Sequence, residues 1–301
     1  MNRFPSFSMR MMNRVLKLLG SDLKPARFAR LQTTIHQRAY PQPAPMPPGL
    51  LRNLQVQTAT HNHQPVFTLT PHRNNRPIHV LYTPGGAYIF AMQSIHWLIA
   101  QNIAQTLGAT VTLAPYPLAP EHDYRAAYAH LENLYRQIVA QNPNHKIILC
   151  GDSAGGGLAL GQALHYRALG WQMPTSIALF SPWLDVTLAN PQAAALEPED
   201  AALSVVSLRQ CGTWWAGTAD AHHPLISPLY AELNHLPPVD IFQGSADIFL
   251  PDARSLAAQI TQIGGNVRLF EYPQAFHDFI AATFTPEARH VFANLGHWIE
   301  A

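Results

Sequence analysis

The stretch HKIILCGDSAGGGLAL, residues 145–160, decides the fold of this chain. Its first half contains a short apolar run with β-branched residues at 147–149, and such a run predicts a buried strand. A segment rich in alanine and leucine, residues 156–169, follows and predicts a helix. Between the two lies a GxSxG motif at residues 151–155, so the chain must turn sharply there.

A GxSxG motif between a strand and a helix predicts a nucleophile elbow, in which the serine backbone is strained. Gly151 and Gly155 lack the Cβ atoms that would collide in so tight a turn. Ser153 would then project from the sheet at a helix N-terminus, where the helix dipole favours negative charge. A glycine-rich turn with an incidental serine remains the alternative, although it does not explain the strand before and the helix after.

The composition indicates a globular α/β protein. The 301 residues are 48% hydrophobic and 12% charged, which is enough apolar material for a sizeable core. A net charge of +1 argues against a nucleic-acid binder. Two cysteines, Cys150 and Cys211, make no disulfide framework. Because neither a membrane-spanning run nor a secretory signal is evident, we expect a cytoplasmic protein.

The first 38 residues are basic, with eight of the nineteen Lys and Arg residues and a single acid, Asp22. Four apolar residues are predicted to share one helical face: Met12, Val15, Leu16 and Leu19. This helix could cover the mouth of an active site with its apolar side down. Alternatively, it could make peripheral contact with an anionic membrane surface or lipid substrate, without stable insertion.

A proline-rich linker at residues 41–48 precedes the core, which is predicted to begin near residue 50. Strands and helices then alternate, which is typical of a mostly parallel sheet covered on both faces. The first two predicted strands form an antiparallel hairpin. The predicted strands are residues 54–60, 65–70, 78–82, 110–114, 147–149, 177–180, 239–243 and 267–272.

A serine hydroxyl needs a base within hydrogen-bond reach and a third group that orients the base. Asp247 and His277 each follow a late strand by a few residues, at the edge of the sheet where Ser153 is expected. Two other aspartates compete for the third role, but Asp252 is predicted to cap a helix and Asp240 lies inside a strand. Asp278 directly follows His277 in the chain, which places it too close to orient the imidazole from the side opposite the serine.

Acyl transfer also needs N–H donors for the developing oxyanion. The loop Gly85-Gly86-Ala87 follows an early strand, where backbone N–H groups can approach a reacting carbonyl. The N–H of Ala154, directly after the serine, supplies another donor. An ordinary tight turn is the alternative for the glycine loop.

With these motifs, the chain from about residue 78 onward resembles the hormone-sensitive-lipase-like branch of the α/β-hydrolases, the bacterial family IV esterases. The family acid in a D-x-L-type segment corresponds to Asp247. The other segments that correspond to family motifs are PGGA at 84–87 (family HGGG), YPLAPEH at 116–122 (family YRLAPEH), GDSAGG at 151–156, SPWLD at 181–185 (family SPW-D) and HDF at 277–279 (family H-x-F).

This resemblance implies an α/β-hydrolase fold with an eight-stranded sheet, with Ser153 as nucleophile, His277 as base and Asp247 as its orienting acid. It implies a cap built from about residues 1–48 and 187–225 over a core of about 50–186 and 226–301. Further site residues are Gly86, Ala87 and Ala154 as oxyanion donors and Gly85 as the residue that shapes their loop. Tyr88 and Asp152 are candidate substrate contacts. Trp214 and Trp215, large apolar residues of the inserted segment, are predicted to contact the substrate as walls of an acyl pocket, or alternatively to pack the insertion onto the body.

Two departures from the family pattern concern the oxyanion loop. The family histidine is Pro84 here, and the third glycine is Ala87. A backbone N–H remains at Ala87, so the donor is kept. Pro84 removes a side chain that usually helps to fix the loop, and its own ring stiffens the backbone instead.

These observations predict a serine carboxylesterase that hydrolyses short- to medium-chain acyl esters through an acyl-enzyme, with a small-molecule substrate and no cofactor or metal. An amidase or deacetylase on the same fold remains an alternative. A non-catalytic ligand-binding member of the family is a third, although the presence of His277 argues against it. The sequence allows a homodimer as well as a monomer.

Overall fold

One sheet of eight strands organises the computed structural model, which describes residues 4–49, 52–73 and 75–297. Residue 50, where the core was expected to begin, lies outside the described residues. The strands are β1 (Leu54–His61), β2 (Gln64–Pro71), β3 (Ile78–Thr83), β4 (Thr110–Leu113), β5 (Lys146–Asp152), β6 (Ser176–Phe180), β7 (Val239–Gly244) and β8 (Val267–Tyr272).

The strand order is β1-β2-β4-β3-β5-β6-β7-β8. β2 pairs antiparallel with both β1 and β4, and every other neighbouring pair is parallel. The predicted α/β fold with a mostly parallel eight-stranded sheet is therefore confirmed. The register pairs Thr83 with Gly151 and Gly244 with Tyr272, so the loops that leave β3, β5, β7 and β8 begin at one edge.

Helices cover both faces of the sheet. Successive strand residues alternate between two core clusters, because side chains along a strand point to opposite faces. Leu81 and Leu149 pack on one face, whereas Tyr82 and Cys150 pack on the other. The helices are α1 (Phe7–Leu19), α2 (Pro25–Thr34), α3 (Ser94–Leu107), α4 (Tyr124–Gln141), α5 (Ala154–Ala168), α6 (Pro191–Leu196), α7 (Val205–Ala216), α8 (Leu250–Gln262) and α9 (Pro286–Asn294).

Helix α1 packs on the body along a different stripe from the predicted one. Val15 is 40% exposed and Leu19 is 62% exposed, so the expected apolar face was wrong at these positions. Asn13 is buried instead, because its amide donates to the carbonyl of Gln274 at 3.1 Å. The inward stripe keeps helical spacing and comprises Met9, Met12, Asn13 and Leu16.

The start of α1 is held by a residue near the other end of the chain. The backbone N–H of Ser6 donates to one carboxylate oxygen of Glu287 at 2.6 Å, and its hydroxyl donates to the other at 2.8 Å. The Ser6 hydroxyl also accepts from the N–H of Met9 and so caps the helix. Among the described residues, none of the helices combines the length and the apolar character needed to span a bilayer.

Helix α2 packs against the segment between β6 and β7. Lys24, which precedes α2, donates to the carbonyls of Asp200 and Leu203 at 2.8 and 2.7 Å. The ring of Phe28 lies 6.0 Å from that of Trp214 on α7. The N-terminal region and the inserted segment thus contact each other beside the edge of the sheet that carries the loops.

Candidate active site

Ser153 lies on a strained turn between β5 and α5. Its φ of 53° is a left-handed conformation that non-glycine residues rarely adopt. A Cβ on Gly151 would collide with the backbone of Gly155, and a Cβ on Gly155 would collide with that of Thr83. Since only glycine fits at both positions, these residues allow the turn. The Ser153 N–H donates to the carbonyl of Phe180 at 2.9 Å, which fixes the turn to β6.

The structure brings Ser153, His277 and Asp247 into one hydrogen-bonded chain. The Nε2 atom of His277 lies 2.9 Å from the Ser153 hydroxyl, and its Nδ1 atom lies 2.9 Å from Asp247 Oδ2. A carboxylate can only accept, so Nδ1 carries the proton and Nε2 is free to accept from serine. The other Asp247 oxygen accepts from the N–H of Phe249 at 2.9 Å, which orients the carboxylate. This arrangement can move a proton from Ser153 to His277.

The competing aspartates lie elsewhere. Asp240 forms an ion pair with Arg268 at 2.7 Å. Asp252 accepts from the Asn190 amide at 3.3 Å, and burial together with the nearby Asp185 raises the pKa of Asp252 to about 6. The structure gives neither Asp240 nor Asp252 a contact with His277.

Asp278 occupies a position that sequence reasoning missed. Its Oδ2 atom lies 3.2 Å from Nε2 of His277, on the serine side of the ring. Burial alone would lower the pKa of His277, but the carboxylates of Asp278 and Asp247 outweigh it and hold that pKa well above its ordinary value. The adjacency to His277 was visible in the sequence, but the left-handed backbone at Asp278, with a φ of 56°, was not.

The raised pKa of His277 predicts an alkaline pH profile. Only neutral His277 can accept the serine proton, so kcat/KM should rise with pH through a midpoint above 6.5, the ordinary value for histidine. The substitution Asp278→Asn removes one of the two charges that raise this pKa, so the acid limb should move to lower pH. The profile of kcat/KM against pH for a neutral nitrophenyl ester measures this shift. Asp252→Asn is the control and should leave the limb in place; an unmoved limb in Asp278→Asn would contradict the assignment.

The oxyanion loop follows β3 and lies over the serine. Gly86 and Ala87 line the same cavity as Ser153 and His277. Within the part of the chain that the structure describes, no hydrogen bond occupies the N–H groups of Gly86, Ala87 or Ala154. The N–H of Gly85 instead donates to the carboxylate of Asp152. These three N–H groups are therefore available to an incoming acceptor, whereas that of Gly85 is engaged by Asp152.

The expectation that Asp152 contacts the substrate is corrected by its burial. Asp152 is 0% exposed and accepts hydrogen bonds from the Tyr82 hydroxyl at 2.5 Å and from His96 Nε2 at 3.3 Å. His96 Nδ1 accepts the N–H of Gln93 at 2.8 Å, which leaves the ring proton on Nε2 for Asp152. Asp152 thus fixes the oxyanion loop through Gly85. Among sixteen histidines, nothing in the sequence distinguished His96.

The expected substrate contacts of three aromatic residues are corrected as well. Trp215 is 0% exposed and stacks on Tyr88, which is 1% exposed, with ring centroids 4.0 Å apart. Trp214 is half-buried and packs on α2 through Phe28. Trp215 thus joins the inserted segment to the body and Trp214 joins it to α2, and none of the three rings is among the residues that line the cavity over Ser153.

The cavity over Ser153 has a volume of about 320 Å³. Its walls come from the N-terminal region, the oxyanion loop, the inserted segment and the His277 loop. The residues that line it include Asp22, Leu23, Arg27, Leu203 and Asp278. Among residues 4–49, 52–73 and 75–297, no group of three or more His, Cys, Asp or Glu side chains could hold a metal ion.

Comparisons with known proteins agree with this geometry. A profile of the α/β-hydrolase fold family matches residues 80–281. An acetyl-hydrolase of Streptomyces hygroscopicus is 30% identical over 66% of this chain and 67% of its own length. A triacylglycerol lipase of Mycobacterium tuberculosis is 32% identical over 90% of this chain and 55% of its own length. A solved hormone-sensitive lipase from a metagenome library superposes with a TM-score of 0.81, with 27% identity and 97% of each chain covered.

The chain therefore belongs to the α/β-hydrolase family. The resemblance to its hormone-sensitive-lipase-like branch is confirmed, and the chain is a hydrolase of this esterase and lipase group.

Proposed function

We propose that this protein is a serine carboxylesterase that hydrolyses short- to medium-chain acyl esters through an acyl-enzyme on Ser153. The observation that carries the proposal is the hydrogen-bonded chain from Ser153 through His277 to Asp247 on the wall of the cavity. The relatives support the ester class, since their names are acetyl-hydrolase, triacylglycerol lipase and esterase.

The residues would act in the following sequence. Ser153 Oγ attacks the ester carbonyl while His277 Nε2 takes its proton, and Asp247 stabilises the imidazolium that forms. The N–H groups of Gly86, Ala87 and Ala154 donate to the oxyanion, and each such donor contributes about 10²–10³ in rate in known cases. His277 then gives its proton to the departing alcohol. Water, activated by the same histidine, hydrolyses the acyl-enzyme.

We assign the cap to about residues 1–48 and 187–225. The hydrogen bonds from Lys24 to the carbonyls of Asp200 and Leu203 join these two parts. The acceptor of the second bond, Leu203, also lines the cavity. Leu23 and Leu203 contribute buried apolar side chains to the lining of the cavity over Ser153. These two side chains would limit the length of the acyl chain that fits beside Ser153.

We expect kcat/KM for nitrophenyl esters to rise over the first few acyl carbons and then fall. Each buried methylene contributes about 0.8 kcal/mol until the space is filled. The substitution Leu203→Ala enlarges the cavity, so the preferred acyl chain should become longer by one or two carbons. Kinetics on a series from acetate to decanoate measure this change.

The matched control for chain length is Leu208→Ala. Leu208 is a buried leucine of the same inserted segment that is not among the residues lining this cavity. Both variants lose core packing, at a cost of about 2–5 kcal/mol in the free energy of unfolding, so both must be assayed below their melting temperatures. An identical chain-length profile in the wild type and the Leu203 variant would exclude Leu203 from the acyl pocket.

Hydrolysis through Ser153 is tested by covalent labelling. A fluorophosphonate should modify the wild-type protein once, and peptide mass spectrometry should place the adduct on Ser153. Labelling at another residue, or hydrolysis of nitrophenyl butyrate that persists after complete labelling of Ser153, would overturn the proposed function.

A further inference from the structure

The carboxyl group of Asp278 lies at the reacting centre without serving as the orienting acid. Its Oδ2 atom is 3.2 Å from the His277 nitrogen that also contacts Ser153. The Asp278 N–H donates to the hydroxyl of Ser181 at 3.2 Å, and its left-handed backbone sets the direction of the side chain. The position is therefore built into the loop after β8.

The charge of Asp278 is poorly compensated by the protein. In the described residues its one ion pair is with His277, and its Oδ1 atom is buried with no hydrogen-bond partner. The side chain remains 17% exposed, so the open part of the carboxyl is the Oδ2 side, towards Ser153. Asp152, by contrast, is satisfied by Tyr82 and His96. A substrate group that approaches Ser153 therefore meets Oδ2, whose charge is shared only with His277 among the described residues.

The alcohol part of a substrate must lie beside this carboxyl group. The departing alcohol takes its proton from His277 Nε2, so its oxygen comes within hydrogen-bond reach of that atom. Because Asp278 Oδ2 is 3.2 Å from the same nitrogen, the first carbons of the alcohol lie next to Asp278. Asp278 also lines the cavity that holds Ser153, so a substrate that fills this cavity meets it.

We propose that Asp278 forms a subsite for a cationic group on the alcohol part of the substrate. The favoured substrates are then esters of amino alcohols, with the ammonium group two or three bonds from the ester oxygen. This inference rests on the proposed esterase function. A carboxylate shielded from water attracts an ammonium group several ångströms away strongly enough to change kcat/KM about tenfold.

The other titratable side chains of the cavity are Asp22 and Arg27 at its rim and His96, whose ring is paired with the buried Asp152. At the rim, Asp22 and Arg27 carry opposite charges, and Arg27 is engaged with the carbonyl of Leu19 at 2.8 Å. Close to the serine, Asp278 is the carboxylate that the cavity meets, since Asp152 is fully buried.

Two esters of matched shape test the proposal. Butyrylcholine carries a trimethylammonium group where 3,3-dimethylbutyl butyrate carries a neutral tert-butyl group of the same size. We expect the ratio of their kcat/KM values, measured on the alkaline plateau, to be about tenfold lower in Asp278→Asn than in the wild type. Comparing this ratio between proteins cancels the different intrinsic reactivity of the two esters. It also cancels any change that the substitution makes to the steps that both esters share.

Asp22→Asn is the matched control, because it removes an exposed carboxylate at the rim of the same cavity. Its ratio should stay within about twofold of the wild type. An unchanged ratio in Asp278→Asn would overturn the subsite but leave the esterase function, which hydrolysis of the neutral ester reports. If the wild type hydrolyses neither of these esters nor nitrophenyl butyrate, the proposed function fails as well.

A second measurement does not depend on the folding of a variant. Choline should inhibit wild-type hydrolysis of nitrophenyl butyrate at about tenfold lower concentration than 3,3-dimethylbutan-1-ol, its neutral counterpart. Equal inhibition by the two alcohols would overturn the subsite.

Discussion

Ser153→Ala is expected to lower kcat for a nitrophenyl ester by about 10⁴–10⁶-fold, because loss of a triad nucleophile has effects of this size. The Ser153 hydroxyl is the atom of the proposed chain that would form the covalent bond, and it lies 2.9 Å from the base. The oxyanion donors and the cavity survive the substitution, so a residual rate above the reaction in water should remain. Steady-state kinetics on nitrophenyl butyrate measure the loss.

The fold should survive this substitution. Alanine removes one oxygen atom, and the bonds that hold the turn are made by backbone groups of residue 153. Ser176→Ala, at a buried serine on β6, is the matched control and should keep wild-type activity. A folded Ser153→Ala protein with a tenth of the wild-type activity would show that the reaction uses another nucleophile.

Asp247→Asn is expected to lower kcat by about 10⁴-fold with little change in substrate binding. An amide nitrogen facing His277 Nδ1 would favour the tautomer that carries its proton on Nε2. In that tautomer Nε2 can no longer accept the serine proton. The variant also loses the negative charge that stabilises the imidazolium. The measurement is the separate determination of kcat and KM for a soluble ester.

Asp252→Asn makes the same change at a buried aspartate that does not contact His277. Its kcat should stay within a few-fold of the wild type. The reverse pattern, with Asp252→Asn inactive and Asp247→Asn active, would show that the wrong aspartate was assigned.

Much of this architecture could be predicted because its signals are local. The apolar run before Gly151 and the small residues after Ser153 specify a strand, a turn and a helix within about twenty residues. Asp247 and His277 follow strands, and parallel strands bring such loops to one edge. Chain order thus predicted that Asp247 and His277 lie at the edge of the sheet that carries Ser153, although it did not predict the position of Asp278.

The hydrogen bonds behind the site could not be predicted from sequence. Asp152 is adjacent to the proposed nucleophile, which suggested contact with substrate, yet its side chain points into the core towards Tyr82 and His96. Likewise, the size of Trp215 suggested a pocket wall, but stacking on Tyr88 buries it completely. Both outcomes depend on partners that are distant in the chain, and a local sequence pattern does not identify such partners.

The buried face of α1 was predicted incorrectly for a related reason. Its apolar residues are spread around the helix, so periodicity alone allows more than one buried stripe. The observed buried stripe includes Asn13, and a search for apolar residues at helical spacing does not select an asparagine. A polar side chain is acceptable there because the carbonyl of Gln274 receives its amide proton.

The contacts of α1 with Gln274 and Glu287 also set an order of events during synthesis. Ser6 and Asn13 leave the ribosome more than 260 positions ahead of their partners. At about 5–20 residues per second, α1 waits roughly 15–55 s before it can dock. His277 emerges between the two partners, so the proposed base reaches Ser153 in the same interval in which α1 gains its anchors. The nascent chain therefore gains the proposed base and both anchors of α1 within one short stretch of synthesis, residues 274–287.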